Sequence, residues 1–265
     1  MSYFKKIVFA LSLVILSAIA IGIAVIRPHY TVPILMYHSV RPDALPGNRL
    51  AVTPATFEKQ MRFLVAGRYS VVPLEEIAEL LSQKKHIPDK TVAITFDDGY
   101  VDNYTYAYPI LKKYNLPATI FIIVQEVGRR QNDRLSWDQI LEMQRCGFIS
   151  FGSHAIGADP LFKMKTKEAL HAQVFDSKKI LEEKLGRPVS AFSYPEGMFT
   201  EEIKQLVKDA GYKLAVATNP GRKSSDSDIY ALKRMRIASS ADNLLVFWAQ
   251  ASGYYTSFKE YKRKK

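Results

Sequence analysis

Beyond residue 31 the chain alternates between short apolar, β-branched runs and segments whose apolar positions recur every three or four residues. Residues 32–36 read as a strand with Pro33 near its start. Thr53 predicts a helix N-cap with Pro54 at the first position; Phe57, Met61 and Leu64 share one face before Gly67 ends the helix. Residues 69–72 read as strand, 74–82 as helix, 91–95 as strand, 104–114 as helix and 118–124 as strand. Ser136, with Gln139 three residues on, has the pattern of a capping box for a helix ending at Gly147. A brief strand over 149–152 precedes the longest helix, about residues 166–185, stopped by Gly186-Arg187-Pro188. Strands over 189–194, 213–217 and 232–237 and helices over 201–210 and 242–250 complete the pattern. Such alternation implies an α/β fold with a parallel sheet covered by helices. With about seven or eight strands, a closed or nearly closed barrel is expected, its active residues gathered where strands end.

The first thirty residues break this pattern. Residues 7–26 carry no charge, and Ser12, Ser17 and Gly22 are the only interruptions in an apolar run. At ~1.5 Å per residue such a helix spans about 30 Å, the hydrocarbon thickness of a bilayer. Lys5 and Lys6 precede the run, so the positive-inside rule puts the N-terminus in the cytoplasm and the remainder outside. The expected organisation is therefore a cytoplasmic end and N-terminal transmembrane helix over 1–27 and one domain over 28–265, held at the cell membrane. A cleaved signal peptide is the competing reading, because Ser17-Ala18-Ile19-Ala20 offers small residues for cleavage. The apolar run continues six residues past Ala20, which suits a retained anchor.

Composition narrows the function. Cys146 is the only cysteine, so no intrachain disulfide supports the fold. The net charge of +11 suits anionic lipid or an acidic envelope polymer. Nucleic acid is not an expected partner, since the lysines are spread along the chain; the dense run at 259–265 reads as a solvated end.

Three strand ends carry candidate chemistry. Thr95-Phe96-Asp97-Asp98-Gly99-Tyr100 delivers adjacent carboxylates, which can face one site only if the strand is already turning. One could bind a cation while the other acts as a base; an Asp-Asp-Gly turn is the ordinary alternative. His154 follows Phe151-Gly152-Ser153, and His38 follows Met36-Tyr37, each just beyond a strand. Carboxylate, imidazole, a base and a proton donor together are what hydrolysis assisted by a metal ion requires.

In order along the chain stand Met-Tyr-His at Met36, Thr-Phe-Asp-Asp-Gly-Tyr at Thr95, Ser-Trp-Asp-Gln at Ser136, Phe-Gly-Ser-His at Phe151 and Phe-Ser-Tyr-Pro-Glu-Gly at Phe192. On these motifs the sequence resembles the polysaccharide deacetylase (NodB-homology) family of carbohydrate esterases, and within it the exported deacetylases of biofilm poly-N-acetylglucosamine. The resemblance covers about residues 32–250 and implies a distorted (β/α) barrel. It implies Asp97 as catalytic base, His38 as general acid, Asp98 and His154 as metal ligands, and the Glu196 backbone N–H as an oxyanion donor. The implied cofactor is Zn²⁺ or another divalent transition metal, and the implied substrate is an N-acetylated amino-sugar polysaccharide of the envelope or exopolysaccharide.

The pattern departs from the family in two places. The second metal-ligating histidine is missing: Ala158 or Asp159 stands at that place, in Gly157-Ala158-Asp159-Pro160. Asp159 is either a carboxylate third ligand or an ordinary turn initiator before Pro160. Ser193 also stands where other branches hold their base with arginine, so Asp97 is expected to be oriented differently. The alternative to an active deacetylase is a non-catalytic glycan-binding relative that lost its metal with the histidine. Trp137 and Trp248 are either sugar-stacking walls or helix–sheet packing.

Overall fold

The computed structural model describes residues 30–129, 133–218 and 228–256, together with Phe9, Val14 and Ser17. In chain order the elements are β1 (Ile34–Tyr37), β2 (Ser39–Val40), β3 (Ala51–Val52), α1 (Pro54–Ala66), β4 (Ser70–Val71), α2 (Leu74–Ser82) and β5 (Thr91–Phe96). A π-helical turn at Asn103–Ala107 leads into α3 (Tyr108–Tyr114), followed by β6 (Ala118–Ile122), α4 (Trp137–Arg145), β7 (Ile149–Ser153) and α5 (Lys167–Leu185). Then come β8 (Ala191–Ser193), α6 (Glu201–Asp209), β9 (Leu214–Ala217), β10 (Leu232–Lys233), β11 (Met235–Arg236) and α7 (Leu244–Ala251).

Side-chain caps set several of the helix starts that sequence spacing predicts. Thr53, Thr166 and Thr200 accept hydrogen bonds from the N–H groups of Thr56, Ala169 and Ile203. Ser136 and Gln139 form the complete capping box at α4.

The main sheet is parallel, with order β10-β9-β8-β7-β6-β5-β1-β11 and β4 beside the start of β5. Its two ends are neighbours in sequence. β10 pairs with β9 and β11 with β1, and Arg234 alone separates them, so residues 232–236 join the ends of the order. The result is the distorted barrel expected from the alternation. The β2–β3 pair, a separate parallel ribbon just past β1, is not evident from sequence because each strand has two residues.

Strand alternation sorts side chains into two apolar clusters. Ile34, Ala93, Phe121, Ala191, Leu214, Val216 and Leu232 pack inside the barrel, with Leu74 and Ile77 of α2. Their neighbours Leu35, Ile94, Ile120, Phe192, Ala215 and Met235 face the surrounding helices. The interior leaves no room at Gly152, where a Cβ would lie 2.5 Å from the Phe121 ring and 2.8 Å from the Ala191 carbonyl.

Among the described residues no helix is long and apolar enough to cross a membrane. The uncharged run at 7–26 lies almost wholly outside the described residues, as does the basic end at 259–265.

Candidate active site

At the C-terminal ends of the strands the inward positions turn from apolar to charged. Asp97 follows β5 and is 3% exposed; its N–H donates to the Tyr37 carbonyl at 3.0 Å, which seats it against the end of β1. Its carboxylate is held by Arg234 through two bonds, Nη1 to Oδ1 at 2.7 Å and Nη2 to Oδ2 at 2.6 Å. The Arg234 side chain is fully buried. Its Nη2 also donates to Ser193 Oγ at 2.9 Å, and Ser193 Oγ donates to Asp97 Oδ1 at 3.4 Å. Burial alone would raise the Asp97 carboxyl. The Arg234 charge and hydrogen bonds, with His154 and His38, outweigh it and hold the group well below the usual carboxylate range.

Asp97 thus does have an arginine, brought from the far end of the sheet rather than from the segment before Tyr194-Pro195. Sequence reading missed Arg234 because it lies in no motif and 137 residues from its partner. The available signal was its place in Leu232-Lys233-Arg234-Met235-Arg236, where arginines alternate with apolar residues.

Asp98 has φ +70° and Gly99 φ +62°, so the chain turns at the second carboxylate, as the adjacent pair requires. Asp98 Oδ1 thereby reaches His154 Nε2 at 3.4 Å. The other ring nitrogen, Nδ1, lies 2.7 Å from the Ser193 carbonyl. A carbonyl only accepts, so Nδ1 carries the hydrogen, and in the neutral ring the Nε2 lone pair faces Asp98. Burial pushes the His154 imidazole toward the neutral form; Asp97, the Asp98 bond and charge and the Ser193 contact reverse this, and its pKa is raised. A proton and a cation therefore compete for Nε2.

Left-handed backbone recurs at these exits: Asp98, Ala155 just after His154, and Glu196 at φ +56°. Strain of this kind persists only where the surroundings impose it, and it concentrates at functional sites. Around Glu196 the Pro195–Gly197 turn is closed by Gly197 N–H to Tyr194 O and Met198 N–H to Pro195 O, which leaves the Glu196 N–H out of the turn's hydrogen bonds.

His38 is 9% exposed, and its Nδ1 is buried without a hydrogen-bond partner among the described residues. Burial lowers its pKa, opposed by the charges of Asp97 and Asp98 and assisted by Arg234 and His154. Its backbone is clamped by the turn that follows the two aspartates. Asn103 Nδ2 donates to the His38 carbonyl at 2.8 Å, and Asp102 accepts from the Val40 N–H at 3.1 Å and from the Ser39 hydroxyl. One segment, 97–103, therefore supplies both carboxylates and fixes the histidine across from them.

Asp159 is exposed, and among the described residues no group of three or more His, Cys, Asp or Glu side chains is placed to hold a metal ion. The structure brings Asp98 and His154 together and does not add Asp159. In donor type the pair suits a divalent cation: a carboxylate opposite an imidazole nitrogen whose tautomer is set by a backbone carbonyl. It offers two protein ligands where catalytic zinc sites usually have three.

The Ser-Trp-Asp-Gln motif serves the fold here. Ser136 caps α4, and the Leu135 N–H donates to the Gly99 carbonyl at 2.9 Å, bracing the turn after Asp98. Trp137 packs against the outer core with Lys184 5.7 Å above its ring, whereas Trp248 on α7 is 54% exposed.

Comparison with known proteins bears on this geometry. The polysaccharide deacetylase family model matches residues 84–215. The chain is 39% identical over 206 residues to YxkH of Bacillus subtilis (strain 168), whose name places it among polysaccharide deacetylases; the match covers 78% of this chain and 71% of that one. The chain belongs to the polysaccharide deacetylase family. Among poly-β-1,6-N-acetyl-D-glucosamine N-deacetylases, that of Staphylococcus aureus (strain MSSA476) is 29% identical over 209 residues, covering 75% of this chain and 72% of that one. In structure the chain is similar to the Streptococcus pyogenes deacetylase PplD in complex with acetate, with TM-score 0.73, 31% identity and coverage of 82% and 97%. It is likewise similar to IcaB from Ammonifex degensii, with TM-score 0.72, 28% identity and coverage of 83% and 97%. The matched family segment contains Asp97, Asp98, His154, Ser193 and Glu196; His38 and Arg234 lie outside it.

Proposed function

We propose that this deacetylase hydrolyses N-acetyl groups on an amino-sugar polysaccharide of the envelope or exopolysaccharide, with Asp97 as base and His38 as general acid. The observation that carries the reading is the Asp97–Arg234 pair set beside Asp98 and His154 at one end of the barrel. Asp98 and His154 would hold a divalent cation, with Zn²⁺ the metal to test first. A carboxylate held as low as Asp97 accepts a proton only from acidified water, and acidifying bound water is the chemistry such a cation supplies.

The remaining work falls to the chain's own groups. Arg234 uses one lone pair on each Asp97 oxygen and Ser193 a second on Oδ1, which leaves one on Oδ2 to accept a proton from the attacking water. As water adds to the acetamide carbon, the Glu196 N–H donates to the developing oxyanion, a contact of a kind worth ~3 kcal/mol. Cleavage of the C–N bond releases acetate and an amine, which needs a proton to leave. His38, neutral at rest because burial lowers it, takes up the proton that Asp97 removed from the water and passes it to the amine.

The test is acetate release by the purified chain from poly-β-1,6-N-acetylglucosamine oligosaccharides, chito-oligosaccharides and peptidoglycan, after chelation and with Zn²⁺ restored. Release abolished by chelator and recovered with Zn²⁺, together with weaker zinc retention in Asp98→Ala, is the expected result. The two-ligand complement favours one other reading, a glycan-binding relative without catalysis. That reading prevails if the zinc-loaded chain binds these polymers and frees no acetate.

The uncharged run at 7–26 would anchor the domain outside the cytoplasm. Protease added to intact cells should then remove the domain while the chain sediments with membranes. Protection of the domain until the cells are lysed would refute this orientation.

A further inference from the structure

The segment that carries Arg234 carries a second arginine the catalytic arrangement does not use. Residues 232–236 run between β9 and β1, so alternate side chains share a face. Leu232 belongs to the cluster inside the barrel, whereas Met235 and Ile237 belong to the one outside. Arg234 turns inward to Asp97, and Arg236 follows it on the same face, one layer nearer the mouth. Its register partner is Met36, two residues before His38.

Among the described residues Arg236 has no carboxylate of its own. Its Nε is buried without a hydrogen-bond partner, and among the described residues its guanidinium forms no ion pair. The charges that face it are Arg49, Asp97 and Arg234, and Asp97 is already engaged by Arg234. Arg49 lies in the loop between β2 and β3, which is tied to the chain beyond β11. Ser239 N–H donates to the Asn48 carbonyl at 3.1 Å, and Gly47 N–H donates to Ser239 Oγ at 2.8 Å. Arg49 is exposed and also lacks an ion pair among the described residues. Neither guanidinium has a carboxylate partner among the described residues, and the partial burial of Arg236 makes that lack costly.

We propose that Arg236 and Arg49 form a subsite for an anionic substituent, a phosphate or carboxylate borne by the saccharide next to the N-acetylated sugar. The planar fork of a guanidinium matches both groups, and the subsite opens on the same barrel end as Asp97. The inference rests on the deacetylase reading for its substrate, and the polymer it selects is an acidic one.

The experiment compares N-acetylglucosamine oligosaccharides of one length that are neutral, phosphate-bearing or carboxylate-bearing. Equilibrium binding and acetate release are both measured. Wild type should favour an anionic oligosaccharide over the neutral one by about tenfold, the scale of one charge-assisted hydrogen bond, and salt should shrink that preference. Arg236→Gln and Arg49→Gln should each bring the ratio toward one, while Arg236→Lys retains part of it. Arg49 is exposed, so its variant tests the idea even if Arg236→Gln fails to fold. Which anionic arm is favoured identifies the substituent. Equal binding of all three oligosaccharides by wild type would overturn the subsite. Preferential binding without acetate release would leave the subsite standing and reject the deacetylase reading instead.

Discussion

Arg234→Met is expected to destabilise the protein by about 3–5 kcal/mol at neutral pH, the usual consequence of stranding a buried charge. The side chain is fully buried and makes both bonds to a carboxylate that is itself 3% exposed. In the wild type the folded Asp97 pKa is depressed, so its stabilising contribution is complete above the unfolded value of ~3.9 and fades as pH falls toward the folded one. In the variant burial dominates and raises the folded pKa. Stability should then fall as pH rises through that value, a slope of opposite sign. Denaturant titrations of both proteins across pH 4–8 provide the check; parallel pH profiles would show that Arg234 does not control Asp97. Asp97→Asn should lower acetate release by about 10³-fold, the scale of a lost general base. The double variant Asp97→Asn/Arg234→Met should be more stable than Arg234→Met alone, because no buried anion is left unpaired.

Gly197→Ala is expected to cost about 3 kcal/mol and to lower acetate release about 100-fold. At φ +71° a Cβ would lie 2.4 Å from both the backbone nitrogen and the hydroxyl oxygen of Thr218. Backbone at the end of β9 cannot yield as a flexible side chain does, so the Pro195–Gly197 turn must move, and the Glu196 N–H moves with it. Gly186→Ala is the matched control, because its φ of +64° imposes similar backbone strain with nothing within 4 Å of the new Cβ. It should cost about 1–2 kcal/mol and leave acetate release intact. Equal losses in the two variants would mean that contact with Thr218 contributes nothing.

The amino-acid sequence alone determined the order and type of the longer elements, because caps such as Thr53, Ser136 and Thr166 and the apolar spacing between them are local signals; the two-residue strands β2 and β3 were too short to leave one. It also marked Asp97, Asp98, His154 and His38, each lying just past a strand. Only the tertiary structure decided which groups share a site. Arg234 meets Asp97 because residues 232–236 join the two ends of the sheet order, a long-range pairing that local spacing does not encode. The same holds for the clamp of Asp102 and Asn103 on the His38 segment and for the exposed position of Asp159. Residue type and local periodicity are written along the chain, whereas the distance between two charged groups depends on how the whole sheet curls.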